Sequence, residues 1–296
     1  MCEAGRAFIK QHKEYSLYRC EKCDVVFSDP MKNPGAEWYE KATFQALKNL
    51  KTFPKNRLQW NHRQLLDDNV VYGKRLLDIG CGSGFFLTQV TKKGYEGYGI
   101  DFDRHIITIA KEWYGLKNVS CVSIDSFCED FSGEKFDTIA FFEVLEHQDN
   151  PNRFLDQVKN LLKPGGYIAL SVPNINRDLN MVEGDCPPNH LTRWTVTALE
   201  RFIENKGFEI IRCEEKKLDY EDLIVYLDKN IRFKIGSNLA RYGIESHKNG
   251  YVKKAISLWE TKENILRGVA MLLAPFLGPL SLKGSYLYCL GRLNNL

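Results

Sequence analysis

An apolar run, Leu76-Leu77-Asp78-Ile79, passes directly into the glycine-rich turn Gly80-Cys81-Gly82-Ser83-Gly84 and then into Phe85-Phe86-Leu87. A strand that turns sharply and opens a helix over such a loop points to a sheet covered by helices. Glycine permits the turn and lets backbone amides touch a ligand there. The loop is not a pyrophosphate fingerprint, which counted from Gly80 needs a third glycine at position 85, where Phe85 stands. No Gly-Lys-Ser/Thr follows, so it is not a Walker loop either. What remains is Asp-x-Gly-x-Gly-x-Gly from Asp78 to Gly84, with a second acidic residue, Asp101, closing Tyr98-Gly99-Ile100 21 residues beyond Gly80. A carboxylate at that place can accept both hydroxyls of a ribose.

The rest of the chain agrees with this reading. From Arg75 onward, short β-branched or apolar runs alternate with segments of helical period, the pattern of a mostly parallel sheet with helices on both faces. Strands are predicted at 75–79, 97–100, 119–124, 138–142, 167–172, 209–217 and 285–290, a seven-stranded Rossmann-like α/β sheet. Helices are predicted at 85–93, 104–114 and 152–162, the last stopped by Lys163-Pro164-Gly165-Gly166. A fourth begins at a capping box of Thr197 and Glu200 and ends at Gly207. With 296 residues, 44% hydrophobic and 27% charged, the chain is an ordinary globular protein, and disorder, collagen and a disulfide miniprotein are excluded. Its formal charge of +3 is too small to argue for nucleic acid. Nine cysteines without an apolar leader read as reduced thiols of a cytoplasmic protein.

Two stretches stand outside the alternation, so the division expected is 1–35, a core at 36–217, a helical insertion at 218–283 and the last core strand at 284–296. The insertion contains Val269 to Leu280, an uncharged run of 12 residues broken by Pro275, Gly278 and Pro279. It is too short and too broken to span a bilayer. A buried helical hairpin is one reading of it. Peripheral contact with a membrane or a lipid-linked substrate through 269–280 is the other.

The ordered motifs resemble those of the class I S-adenosylmethionine-dependent methyltransferases, from about Arg75 to Leu290. Besides the glycine loop and Asp101 there are Ile124-Asp125-Ser126, Lys135-Phe136-Asp137, Phe142-Glu143-Val144-Leu145-Glu146-His147 and Leu162-Lys163-Pro164-Gly165-Gly166-Tyr167. The resemblance implies in-line displacement of a methyl group from a sulfonium, in which the protein mainly holds the nucleophile in position. It assigns the cofactor to Asp78, Gly80, Cys81, Gly82, Gly84, Asp101, Phe102, Asp125, Ser126 and Phe142. Asp101 would hold the ribose, Ser126 would offer its amide to the adenine with Asp125 beside it, and Phe102 would pack on the ring.

Glu143, Glu146 and His147 are spaced i, i+3 and i+4, so a helical turn after the fourth strand would put all three on one face. The segment looks like the corresponding one in ubiquinone-biosynthesis O-methyltransferases and small-RNA 2′-O-methyltransferases, and His190 follows the fifth strand. These four could hold Mg²⁺ or Mn²⁺ and lower the pKa of an acceptor hydroxyl. Alternatively they work without metal, with Glu146, His147 and His190 as the catalytic group and His190 as the preferred base.

Tyr18-Arg19-Cys20-Glu21-Lys22-Cys23 looks like the second half of a zinc ribbon that precedes the core in sugar methyltransferases. A zinc site needs four ligands, and only Cys2, with His12 as a substitute, is at hand to complete it. A small-molecule substrate, a hydroxyl of a sugar-containing or other metabolite, is the expected acceptor. The alternative is an RNA-associated protein using the cysteine knuckle.

Overall fold

The computed structural model describes residues 5–41, 58–67, 73–179, 185–230, 264–273, 275–276 and 280–294. The chain divides into two compact units, the first being residues 1–176, 181–216 and 286–296, and the second residues 177–180 and 217–285.

The first unit opens with three antiparallel strands, β1 (Arg6–His12), β2 (Tyr15–Cys20) and β3 (Val26–Asp29). A short helix, α1 (36–41), follows, and then α2 (Trp60–Asp67). The alternating core runs β4 (Arg75–Ile79), α3 (Phe85–Lys92), β5 (Glu96–Asp101), α4 (Arg104–Glu112), β6 (Val119–Cys121), α5 (Ile124–Asp130) and β7 (Phe136–Phe142). A 3₁₀ turn at Leu145–His147 leads to α6 (Pro151–Leu161), β8 (Leu162–Pro173), β9 (Thr192–Arg193), α7 (Val196–Asn205) and β10 (Phe208–Lys217). In the second unit stand α8 (Tyr220–Asn230) and a helix at 264–273, and β11 (Lys283–Leu293) returns to the first.

The large sheet has the order β10-β11-β8-β7-β4-β5-β6, with β11 antiparallel to β8 and β7, β4, β5 and β6 parallel. Its strands are apolar on both sides because successive residues serve opposite faces. Leu77, Ile139, Phe141, Ile168 and Leu170 face one core, shared with Phe154, Leu155 and Val158 of α6 and Leu199 and Ile203 of α7. Leu76, Ala140, Phe142, Ala169 and Tyr288 face the other, shared with Leu65 of α2, Phe86 and Leu87 of α3 and Ile107 of α4.

Several boundaries differ from expectation. The predicted strand at 119–124 stops at Cys121, because Ser123 turns its hydroxyl to accept from the Ser126 amide and caps α5 instead. The cap of α7 is Thr195, which accepts from the Ala198 amide, so Thr197 lies inside the helix and forms no capping box with Glu200. Residues 1–35 do not stand alone: β3 pairs with β9, giving a second sheet of order β1-β2-β3-β9. Cys20 and Cys23 sit where β2 turns toward β3, and among the described residues no third ligating side chain joins them; Cys2 lies outside the described residues. Much of the predicted insertion, including 231–263, also lies outside them.

Candidate active site

A cavity of about 580 Å³ opens at the carboxyl ends of β4, β5 and β7, lined there by Ile79, Gly80, Ile100, Asp101, Phe142 and Glu143. It lies where the chain, having wound outward through β5 and β6, returns across β4 to β7, the usual place for a ligand in an open α/β sheet. Gly80 must be glycine: its φ is +75° and a Cβ would lie 2.6 Å from Cγ2 of Val144. Gly82, at φ +53°, has nothing within 4 Å of where a Cβ would stand, so its backbone is open to a ligand.

The Gly82 amide donates to Oδ2 of Asp101 at 3.0 Å and the Asp103 amide to Oδ1 at 2.9 Å. Burial raises the Asp101 pKa, and these amides draw it part of the way back. Asp78 stands behind the loop. It is fully buried, its pKa is raised by burial and then by the charge of Asp101, and it does not line the cavity. Cys81 is buried and Gly84 is the left-handed cap of α3, where a Cβ would meet Leu116; both shape the loop from behind.

On the far wall are Phe102, Ser123, Ile124 and Asp125, the last held by Arg153 at 2.5 Å and Gln157 at 2.6 Å. Ser126 is not on this wall, and its amide is already used by Ser123, so the role expected of it does not fit.

Sequence reasoning missed Tyr39 and the segment before it. The Tyr39 hydroxyl is 3.1 Å from Nδ1 of His147, and its ring lies 5.3 Å from that of Phe102. The segment is pinned by Asn33, whose side-chain amide donates to the His147 carbonyl at 2.9 Å and whose backbone amide donates to Asp149 at 2.5 Å. An aromatic residue outside the alternating pattern gives no periodic signal.

The expected quartet is divided. Glu143 precedes the 3₁₀ turn in a left-handed conformation, φ +57°, and so leaves the face shared by Glu146 and His147. Its carboxylate accepts from Ser171 at 2.8 Å, and the Ser171 hydroxyl accepts from Asn61 at 2.8 Å. Glu146, His147 and His190 do meet, with one ligand atom of each within 4.8 Å of the others. Nε2 of His147 and Nε2 of His190 lie 4.0 and 3.9 Å from Oε1 of Glu146. Glu146 is wholly buried, and among the described residues neither carboxylate oxygen has a hydrogen-bond partner. Burial and the charge of Glu143 push its pKa well up. His147 is held down to about 4 by burial and by His190, while the carbonyls of Asn189 and Glu143 oppose this. Because a carbonyl only accepts, the 2.6 Å contact between Asn189 and Nδ1 of His147 puts a proton on Nδ1. His147 lines the cavity; Glu146 and His190 lie behind it, and Asp185 is 3.4 Å from Nδ1 of His190.

Among the described residues, Asp101, Asp125, Glu143 and Asp149 line the cavity against one fixed cation, Arg153, which is paired with Asp125. An open glycine backbone, a ribose-type carboxylate and an acidic surround fit a nucleoside carrying a sulfonium charge. Fold and loop together define a class I S-adenosylmethionine-dependent methyltransferase. The chain belongs to the methyltransferase-domain family, whose model matches residues 39–212.

Among curated proteins, the chain is 29% identical over 157 residues to the tRNA U34 carboxymethyltransferase of Syntrophotalea carbinolica, covering 49% of this chain and 47% of that one. It is 30% identical over 171 residues to the ubiquinone biosynthesis O-methyltransferase of Glaesserella parasuis, covering 53% and 70%. The match to the Coxiella burnetii protein of that name spans half its length. Solved structures share the fold: an S-adenosylmethionine-dependent methyltransferase from Archaeoglobus fulgidus has a TM-score of 0.53 at 17% identity, covering 84% of this chain and 99% of its own. A Haemonchus contortus phosphoethanolamine N-methyltransferase with S-adenosylhomocysteine bound has 0.53 at 16% identity, covering 87% and 58%.

Proposed function

We propose that the chain methylates a hydroxyl of a small-molecule acceptor, a sugar-containing or other metabolite, beside the wall formed by Tyr39 and His147. The charge of the cavity carries this reading, because the four carboxylates among its described lining residues, facing the paired Arg153, repel a polyanion and accept a neutral metabolite. When bound, S-adenosylmethionine supplies a methyl group on an already activated sulfonium. The protein's task is then orientation. Asp101 holds the ribose, Gly80 and Gly82 leave room for the amino-acid end, and Phe102 covers the base. His147 orients the acceptor, since a group held near pKa 4 is a poor proton acceptor at neutral pH. His190, which stands behind His147 with Asp185 beside its Nδ1, takes the proton through one intervening water.

A divalent ion on Glu146, His147 and His190 is the second reading, favoured by the unpartnered carboxylate of Glu146. Such an ion would act as a Lewis acid. The metal-free reading is preferred because burial and the charge of Glu143 raise the Glu146 pKa, which opposes the charged form that a cation would need.

Incubation with methyl-labelled cofactor and either a metabolite extract or total tRNA separates the acceptor classes. Label in a small hydroxylated product supports the proposal, whereas label in tRNA would replace it with methylation of RNA, the acceptor class in the name of the S. carbinolica relative.

A further inference from the structure

Ser171 places a hydroxyl in the stretch of β8 from Ile168 to Val172, which is otherwise aliphatic and wholly buried. A hydroxyl buried there is costly unless it is hydrogen-bonded. Two residues from other elements bond it: its Oγ lies 2.8 Å from Oε1 of Glu143 and 2.8 Å from Nδ2 of Asn61, itself buried, on α2. The direction of each bond is fixed. Oδ1 of Asn61 accepts from the His62 amide at 2.9 Å, so the NH₂ group faces Ser171, and a hydroxyl that accepts from it has its one proton for the Glu143 carboxylate.

Ser171 also holds the main chain of Glu143, whose amide donates to the Ser171 carbonyl at 3.0 Å. At φ +57°, Glu143 is in a conformation that a residue with a Cβ keeps only where its surroundings impose it. Backbone and carboxylate of Glu143 are thus both set by one serine, and that serine by one asparagine.

What this chain of bonds positions is an anion at the edge of the cavity. Glu143 lines it at the end of β7, beside β4, and the neighbouring Val144 is the side chain that a Cβ on Gly80 would strike. Among the other carboxylates lining the cavity, Asp101 takes the ribose on the reading above, Asp125 is paired with Arg153, and Asp149 accepts from the Asn33 amide. The amino-acid end of the cofactor, on that same reading, lies at Gly80 and Gly82 and carries an ammonium. A carboxylate already fixed opposite that cation forms a charge-assisted bond with little further loss of side-chain freedom.

We propose that Ser171 and Asn61 are positioning residues for cofactor binding, which fix the Glu143 carboxylate as the partner of the ammonium of S-adenosylmethionine. The proposal rests on the placement of the amino-acid end at the glycine loop.

Calorimetry with two ligands tests it, S-adenosylhomocysteine with the ammonium and 5′-methylthioadenosine with the same nucleoside thioether but no amino acid. Ser171→Ala should weaken S-adenosylhomocysteine binding about tenfold and leave methylthioadenosine within about twofold. Asn61→Leu keeps the hydroxyl but releases its direction, and should show the same selectivity with a loss of about threefold. Added to Glu143→Gln, Ser171→Ala should cost little further affinity, because a residue that acts through Glu143 then has nothing to position. A loss shared equally by both ligands would make the role structural and overturn the proposal. So would unchanged S-adenosylhomocysteine affinity in Ser171→Ala, or an undiminished loss in the Glu143→Gln background. If the wild-type chain bound both ligands equally, the placement of the amino-acid end would itself be wrong, and the proposal would fall with it.

Discussion

The hydroxyl of Tyr39 stands 3.1 Å from Nδ1 of His147, across 108 residues of chain, and joins a short helix outside the alternating pattern to the turn that ends β7. Both residues line the cavity. Tyr39→Ala removes the ring against Phe102 as well as the hydroxyl, and should weaken S-adenosylhomocysteine binding about tenfold. Tyr39→Phe keeps the ring and should bind nearly normally. Calorimetry on the two variants distinguishes a packing role from a hydrogen-bonding one.

Asp101 receives two loop amides and would receive two ribose hydroxyls, so Asp101→Ala should lower cofactor affinity by about a hundredfold or more. Asp101→Asn should retain part of it. A thermal melt of the free proteins controls for collapse of the glycine loop; unchanged affinity in Asp101→Ala would remove this residue from the site.

The buried trio offers a clean choice. Without metal, turnover should be indifferent to EDTA, elemental analysis should find no stoichiometric ion, and His190→Ala should lower turnover by about a hundredfold or more. A metal site requires activity to fall with EDTA and return with Mg²⁺ or Mn²⁺, and Glu146→Ala should then cost about as much as chelation.

His62 is a half-buried imidazole stacked 4.8 Å from Phe86, and desolvation holds its pKa down to about 4. The folded chain therefore takes up this proton later than the unfolded chain as pH falls. Its contribution is fully present above about pH 6.5 and is lost toward pH 4, worth on the order of 3 kcal/mol. Asp78 and Glu146, with raised pKa values, act in the opposite sense as pH rises, so the wild-type curve alone does not isolate His62. Subtracting the unfolding profile of His62→Phe should reveal a loss confined to that window. A difference flat between pH 4 and 6.5 would contradict it.

What the sequence determined by itself is the sheet and its ligand edge. Residues 75–79, 97–100 and 138–142 alternate locally with helices, and the loop from Asp78 to Gly84 is a contiguous signal, since close backbone approach demands glycine at fixed positions. Asp101, Phe102 and Phe142 were legible because they stand at the ends of β5 and β7, whereas Asp125, in the first turn of α5, was indicated only by the resemblance. The division of the Glu143 to His147 segment was not legible. Spacing alone makes i, i+3 and i+4 one face, but a left-handed Glu143 followed by a 3₁₀ turn sends its carboxylate to Ser171 instead. Nor could spacing show that Ser123 would use the Ser126 amide. The attachment of β3 to β9, and with it the delivery of Asn33 and Tyr39 to the cavity, was decided only by tertiary structure. Pairing between strands some 160 residues apart leaves no trace in local periodicity, because its stabilising contacts exist only after the chain has folded.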